Sequence, residues 1–335
     1  MSPVPNPAVA PLLVTSEAFE TLEPEWAALH ASIPEAMVFF HPAWYATWLR
    51  HFGTNRHPVF LSIRDGEELV GVAALEIDTA GARQLGDHNV TDYSGPLVRP
   101  GYEEAAASAV VEWLLEDLTS SATFWGIAAD SPMRAALEAA ATQFGWSCEE
   151  AHEAVCPRVE LPADFEAYLA SLSKHGRHEL RRKMRNLGAA GEIGFETYAS
   201  EEAVVSRLDR FLELMRISRE DKETFLTPEM EAYFRDVAGT FSRLGMLRLA
   251  ELTVDGHDAA MILCFENAST LSLYNSGYDP ELARLAVGLV SKAMALQDAI
   301  ARGKRVFDFL RGEEDYKKRL GGVPLEVLTL TLTGR

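Results

Sequence analysis

Two stretches of this chain carry one pattern, and the repetition limits what the chain can fold into. PVFLSIRDGEELVGVAALEID runs from Pro58 to Asp78, and MLRLAELTVDGHDAAMILCFEN from Met246 to Asn267. Each is an apolar strand, an Asp-Gly turn and a longer strand rich in Ala and Val. Asp-Gly between alternating apolar runs is a hairpin signal, because a tight turn needs residues that accept a positive φ. The turns begin at Asp65 and Asp255, 190 positions apart. The pattern continues in both places. RQLGDHNVTDYSGPLV leads to the helical stretch YEEAAASAVVEWLLEDL and the strand ATFWGIAA. TLSLYNSGYD leads to a helical stretch from about Ala283 to Ala301 and the strand RVFDFL. Each half reads strand, strand, strand, helix, strand, and a helix between two strands of one sheet makes them parallel neighbours. The expected fold is α/β, with two copies of one mixed-sheet unit flanked by helices. Helical segments precede each copy, among them HPAWYATWLRHFG in the first half and EEAVVSRLDRFLELMRISREDK in the second. The expected organisation is a loose tail over 1–10, a first domain over 11–155 and a second over 156–335, divided near CPRVELP.

Composition narrows the function classes. The 335 residues carry a formal net charge of -19 and are 47% hydrophobic. That balance supports full cores and argues against DNA or anionic lipid as partners. The cysteines Cys148, Cys156 and Cys264 are few and lack CxxC spacing, so neither a disulfide framework nor a zinc cage is expected, and a reducing cytoplasm is the default. The opening MSPVPNPAVAPLLV has no basic n-region. No apolar run reaches membrane-spanning length, so membrane insertion is not expected. Asp87, His88 and Asp92 in GDHNVTD have no matched partners, and no metal site is expected. HExxH, GxSxG, P-loop and GxGxxG patterns are absent.

Three segments carry possible chemistry. In YNSGYDPELARLAVGLVSKAM, Tyr274 to Met294, a strand ends, a Pro turn follows and a helix starts near Arg284 to Gly288. A helix start offers free N–H groups and the positive dipole end to an anion. Gly288 lets a ligand approach the backbone, and Arg284 supplies a fixed charge. A buried helix whose glycine aids packing reads from the same residues. In KHGRHELRRKMRNL, Lys174 to Leu187, cations including Arg177 and Arg181 crowd one helical stretch of an acidic chain. They form either a grip on an anionic ligand or a surface helix paired with acidic neighbours. In RVFDFLRGEEDYKKRLGG, Asp308 interrupts an apolar strand and Tyr316 precedes Lys317, Lys318 and Arg319. Asp308 is either a site carboxylate or the partner of a neighbouring arginine. Tyr316 is either an acid at a cleft or a packed ring.

The order of these elements resembles the GNAT acyltransferase fold. There, three antiparallel strands lead to a splayed strand end that faces an acyl-CoA thioester, and a Q/R-x-x-G-x-G/A loop holds the pyrophosphate on a helix N-terminus. Arg284-Leu285-Ala286-Val287-Gly288 stands at that loop, with its glycine one residue late and without the later small residue. The doubled unit, with SGYDPE, VGL, FDFLRG and DYKK in order, is similar to the FemAB-like branch. That branch includes aminoacyl-tRNA-dependent peptidoglycan transferases and a CelD-like group of acetyltransferases.

The resemblance implies two tandem GNAT-like mixed-sheet domains and an N-acetyltransferase that uses acetyl-CoA on an amine acceptor. Arg284 to Gly288 would hold the donor, and the backbone at Tyr274, Asn275 and Ser276 would polarise its carbonyl. Tyr316 would protonate the leaving thiolate. Lys317 would stabilise the oxyanion or hold phosphate, and Asp308 would orient the acceptor or take its proton. Tyr278, Arg177 and Arg181 would contact substrate. The first half would bind acceptor through Asp92 and Tyr93, since Glu103 and Glu104 at its helix start repel a pyrophosphate; turn chemistry explains Asp92 and Tyr93 equally well. Two alternatives remain open. One is an aminoacyl-tRNA-dependent transferase acting on a cell-wall precursor, with tRNA as a partner. The other is a non-catalytic binding module for an anionic glycan or a protein.

Overall fold

The computed structural model describes residues 11–116 and 120–334, and the tail expected at 1–10 lies outside the described residues. The chain divides into two compact units. One comprises Met1–Pro42, Asn55–Glu153 and Val327–Arg335, the other Ala43–Thr54 and Ala154–Glu326.

The first unit is an eight-stranded sheet with helices. Its elements are β1 (Leu13–Glu17), helix α1 (Phe19–Ser32), β2 (Pro58–Asp65), β3 (Glu68–Asp78), β4 (Gly81–Gln84) and β5 (Leu97–Val98). Between α1 and β2 lies helix α2 (Pro42–Phe52), most of which belongs to the second unit. Helix α3 (Glu103–Glu116), β6 (Ser121–Ala128), helix α4 (Pro132–Gln143) and β7 (Ser147–Val155) follow. Strands β1 to β4 run antiparallel in sequence order, and β4 then pairs in parallel with β6 across α3. The buried core holds Leu61, Leu75, Val111, Phe124 and Leu137.

The second unit repeats this order. After β8 (Arg158–Glu160) come helices α5 (Phe165–Ser171) and α6 (Lys174–Gly188), then β9 (Ile193–Tyr198). Helices α7 (Glu201–Ser218), α8 (Glu220–Phe225) and α9 (Pro228–Arg243) follow. The hairpin is β10 (Leu247–Val254) and β11 (His257–Glu266). Strand β12 (Thr270–Tyr278), a 3₁₀ turn (Pro280–Leu285), helix α10 (Val287–Ala301), β13 (Val306–Asp308) and the short helix α11 (Asp315–Arg319) complete it. The sheet order is β9-β10-β11-β12-β13-β8, with β12 and β13 parallel across α10. Side-chain caps fix several helix starts. Ser173 accepts from Gly176 N–H, Ser200 from Ala203 N–H, and Thr227, followed by Pro228, from Met230 N–H.

The two hairpins differ by one residue of register. Asp65 pairs with Glu68, so Gly66 and Glu67 form the first turn, with positive φ at Gly66. Val254 pairs with His257, so Asp255 (φ 50°) and Gly256 (φ 76°) form the second. A positive φ at both central residues is the type I′ pattern, and at the first alone type II′.

A single cut at 155/156 does not describe this division, because two segments change places. The last strand, β14 (Glu326–Thr333), returns to the first unit and pairs antiparallel with β6, the place that β8 takes beside β13. In β14, Val327, Leu328, Leu330 and Leu332 are buried. Helix α2 joins the second unit through Trp44. Its ring lies 6.2 Å from Tyr233, 5.7 Å from Phe241 and from Phe265, and 5.9 Å from Tyr274. Arg50 and His51 of α2 both bond Asp236 of α9. Removing the Trp44 indole leaves a hole among these rings. Trp44→Ala should therefore lower stability by about 3–5 kcal/mol in urea denaturation. A loss below about 1 kcal/mol would contradict this placement of α2.

Candidate active site

Strands β12 and β13 stay together for only three pairs: Thr270–Val306, Leu271–Phe307 and Ser272–Asp308. Strand β12 remains on β11 as far as Tyr278, with an irregularity at Tyr274. The far half of β12 therefore has one edge that β13 does not cover. Ser276 turns its backbone toward that edge. Its N–H is accepted by the Asn275 side-chain oxygen at 2.8 Å, and its carbonyl accepts from Lys222 Nζ.

The parting is held by Asp308, which is fully buried. Its carboxylate accepts from Arg158 Nε at 2.9 Å and from Leu310 N–H at 2.7 Å. The second bond folds the chain over at once, with Leu310 at φ 54°. Lys317, 2% exposed, then closes the loop from inside. Its Nζ lies 3.0 Å from Leu310 O, 2.7 Å from Arg311 O and 3.2 Å from Gly312 O, and 2.9 Å from Glu314 Oε2. These contacts correct two expected roles. The Asp308 carboxylate is occupied by an arginine and its own loop, so it does not reach for an acceptor amine. The Lys317 ammonium is spent on carbonyls, so it is not offered to an oxyanion or a phosphate.

That loop delivers Tyr316, the first residue after the start of α11. Its half-buried ring meets Phe309 edge-on at 6.0 Å, and Lys292 Nζ of α10 sits 4.8 Å from its centroid. The hydroxyl makes no hydrogen bond among the described residues. Burial, reinforced by the Glu314 carboxylate, pushes its pKa well above that of free tyrosine, so it stays protonated.

The donor-binding segment differs from expectation in its start. Arg284 and Leu285 end the 3₁₀ turn, Ala286 takes a left-handed conformation (φ 58°), and α10 begins at Val287. The Leu289 and Val290 N–H groups return to Ala286 O. That of Gly288 has no acceptor among the described residues, which leaves a donor at the positive end of a 15-residue helix, while Val287 before it is fully buried. Arg284 is exposed beside them. Gly288 also has a packing reason: a Cβ there would lie 3.2 Å from the Tyr278 ring. Gly277 lies against the backbone of α7, where a Cβ would meet Met215 N at 2.2 Å. Tyr274 contributes backbone only, because its ring belongs to the aromatic cluster with Trp44, Phe234 and Phe265.

The remaining expected residues lie apart. Arg177 reaches the Ala170 carbonyl and Arg181 pairs with Glu166, so both are partly used within α5 and α6. On the same helix Lys174, His178, Arg182 and Arg185 have no side-chain partner among the described residues. Asp92 and Tyr93 belong to the first unit. Tyr93 is a core ring, 2% exposed and 6.4 Å from Phe39, which corrects its expected contact with acceptor; Asp92 is half-buried beside it. Glu103 accepts the Gly101 N–H at the start of α3. Among the described residues no cluster of His, Cys, Asp or Glu could hold a metal, and no helix is long and apolar enough to cross a membrane.

Two lysines absent from the sequence-based site stand by the edge of β12 and the Tyr316 ring. Lys292 is 6% exposed and donates to Gly288 O at 2.9 Å. Burial pushes its pKa down to about 7, with Lys222 adding like-charge repulsion. Lys222 of α8 reaches the open edge of β12, where Nζ lies 2.9 Å from Asn275 Oδ1. Burial and Arg219 push its pKa down to about 8. Glu314 also belongs to this group; burial alone would raise its pKa, but Lys317 and Arg219 hold it below the usual range. Lys292 was legible as a lone lysine in the apolar run VGLVSKAMAL. Lys222, within the polar string SREDKETF, carried no such signal.

Residues 174–318 match the family described as an acetyltransferase (GNAT) domain. No curated protein matches the sequence. The fold is that of several solved structures. FemX superposes with a TM-score of 0.69 at 13% identity, over 95% of this chain and 96% of its own. The DUF2156 C-terminal domain of a lysylphosphatidylglycerol synthetase candidate from Agrobacterium fabrum gives 0.58 at 12%, over 94% and 92%. A conserved protein of unknown function from Bacteroides thetaiotaomicron gives 0.57 at 12%, over 96% and 99%.

The buried Lys292 makes stability depend on pH. Its folded pKa near 7 lies below the unfolded lysine value of about 10.4, so the unfolded chain binds more protons between those values. Stability should rise with pH across that window. The cost of burying the ammonium is present in full below about pH 7 and gone above about pH 10.4. Chemical denaturation of wild type and Lys292→Met should show the variant gaining most, relative to wild type, at the low end and losing that gain toward about pH 10. A difference independent of pH would contradict the assignment.

Proposed function

We propose, for a chain whose residues 174–318 belong to the GNAT acetyltransferase-domain family, that it transfers an acyl group from acetyl-CoA to an amine. The observation that carries this reading is the open edge of β12 beyond Ser272, with the free N–H of Gly288 at the start of the next helix. The residues present suit such a donor. The helix start and Arg284 offer positive charge to a pyrophosphate. The edge of β12 offers backbone groups to a pantetheine arm and to the thioester. Tyr316, protonated and without a hydrogen-bond partner, is the acid for the departing thiolate. Holding donor and amine together supplies much of the acceleration.

A second reading, an aminoacyl-tRNA donor, is favoured by one observation: the cations Lys174, Arg182 and Arg185 along α6, which have no side-chain partner among the described residues. It predicts tRNA binding that weakens steeply with salt, as phosphate contacts do.

The deciding experiment is calorimetric titration of acetyl-CoA into wild type, Arg284→Glu and Tyr316→Phe, followed by an amine screen. Wild type should bind, Arg284→Glu should bind about tenfold more weakly, which is about 1.4 kcal/mol, and Tyr316→Phe should bind normally. In the screen Tyr316→Phe should lose about a hundredfold in kcat. Failure of the wild type to bind acetyl-CoA would overturn the reading and turn attention to tRNA.

A further inference from the structure

Amine attack on a thioester releases a proton as well as a thiolate. Tyr316 can give a proton to the sulfur, but the nitrogen must lose one, and none of the residues assigned so far can take it. Asp308 is occupied by Arg158 and Leu310, and Lys317 by three carbonyls. Lys292 is buried under the Tyr316 ring.

Lys222 is placed differently. It projects from α8 onto the uncovered edge of β12 and remains half-exposed. Its Nζ has two protein partners, Asn275 Oδ1 at 2.9 Å and the Ser276 carbonyl, and no carboxylate binds it. A neutral amine has two N–H groups and one lone pair. Two fixed acceptors take the two hydrogens and leave the lone pair aimed at the one remaining position. As an ammonium the same group would keep a third N–H without a protein acceptor. The site therefore suits the neutral form, and it holds that form where β12 would present the thioester.

We infer that Lys222 is the base that takes the proton from the acceptor amine, an inference that rests on the acyltransferase reading above. The amine nitrogen bonds to the thioester carbon, and its proton passes to Lys222 Nζ. The C–S bond then breaks, and the sulfur takes the Tyr316 proton. Lys222 and Tyr316 return to their starting forms by proton exchange with each other or with solvent. The products are amide and free CoA thiol.

The charged groups facing Lys222 set its titration. Arg219 and Asp221 come from its own segment, Glu314 and Lys317 from the loop after β13, and Lys292 from α10. Arg219, Lys317 and Lys292 oppose the ammonium, while Asp221 and Glu314 favour it; burial adds to the first group and leaves the amine mostly neutral above about pH 8. A base that titrates near the working pH is well matched to proton removal.

The test needs no knowledge of the acceptor. The full-length protein is acetylated with trace acetic anhydride from about pH 6 to about pH 11, and each lysine is read by peptide mass spectrometry, with and without saturating CoA. Lys222 should label with a midpoint about two units below that of exposed Lys174. CoA should slow its labelling about tenfold while leaving Lys304, at the far end of α10, unchanged. In the amine screen Lys222→Met should lose about a hundredfold in kcat with CoA affinity within about twofold of wild type. A midpoint equal to that of Lys174 overturns the inference. So does bound CoA that leaves Lys222 fully reactive, and the acyltransferase reading survives both results. If calorimetry shows no CoA binding at all, the reading falls and the inference with it.

Discussion

The buried carboxylate of Asp308 decides how the second unit is built. A parallel pair normally extends until one strand runs out. Here it stops because Asp308 takes the Leu310 N–H and Arg158 Nε, which turns the chain out of the sheet after Ser272. Everything in the cleft follows from that turn. The edge of β12 is left open, the loop leads to α11, and Lys317 ties the loop's carbonyls so that Tyr316 is held at a fixed distance from α10. A buried charge that loses its partner is strongly destabilising. The Asp308–Arg158 pair therefore sets the geometry of the cleft, and its energy is spent on shape rather than on contact with substrate.

The second constraint is the concentration of amines in a desolvated place. Lys222, Lys292 and Lys317 approach from three different elements, with Glu314 as the nearest carboxylate. Low dielectric penalises each ammonium, and like-charge repulsion adds to it. The chain resolves this unequally. Lys317 is surrounded by three carbonyls and Glu314. Lys292 and Lys222 have fewer partners and shift toward neutrality.

The general plan was legible because it rests on local rules. Asp65-Gly66 and Asp255-Gly256 mark hairpins through backbone chemistry that nothing distant can override, and the helices between parallel strands follow from alternation of pattern. The exchange of α2 and β14 was not legible, since HPAWYATWLRHFG shows an amphipathic helix but not which core its tryptophans enter. At the site the residue types Asp308, Tyr316 and Lys317 stood out, yet type alone did not separate roles. An aspartate in an apolar strand is as good a hinge as a catalyst, and only its two bonds decide. Lys222 was missed because its partners, Asn275 and Ser276, are more than fifty positions away.

The two units show how little separates a working cleft from a closed one. In the first unit β4 and β6 also part early, after Arg83 and Thr123. There the gap is filled. The Trp125 indole donates to Gln84 O at 2.8 Å, and Ser94 N–H bonds Gly126 O at 2.9 Å, so the edge of β6 is already used. At the matching helix start, Glu103 supplies its own carboxylate to the Gly101 N–H. An anion arriving there would meet negative charge and a sealed edge. In the second unit, among the described residues, the edge of β12 beyond Ser272 holds a lysine and an asparagine side chain, and the helix start has the free Gly288 N–H and an exposed arginine. The same run of strands thus yields a filled gap in one copy and an open strand edge in the other, and the difference lies in a handful of side chains rather than in topology.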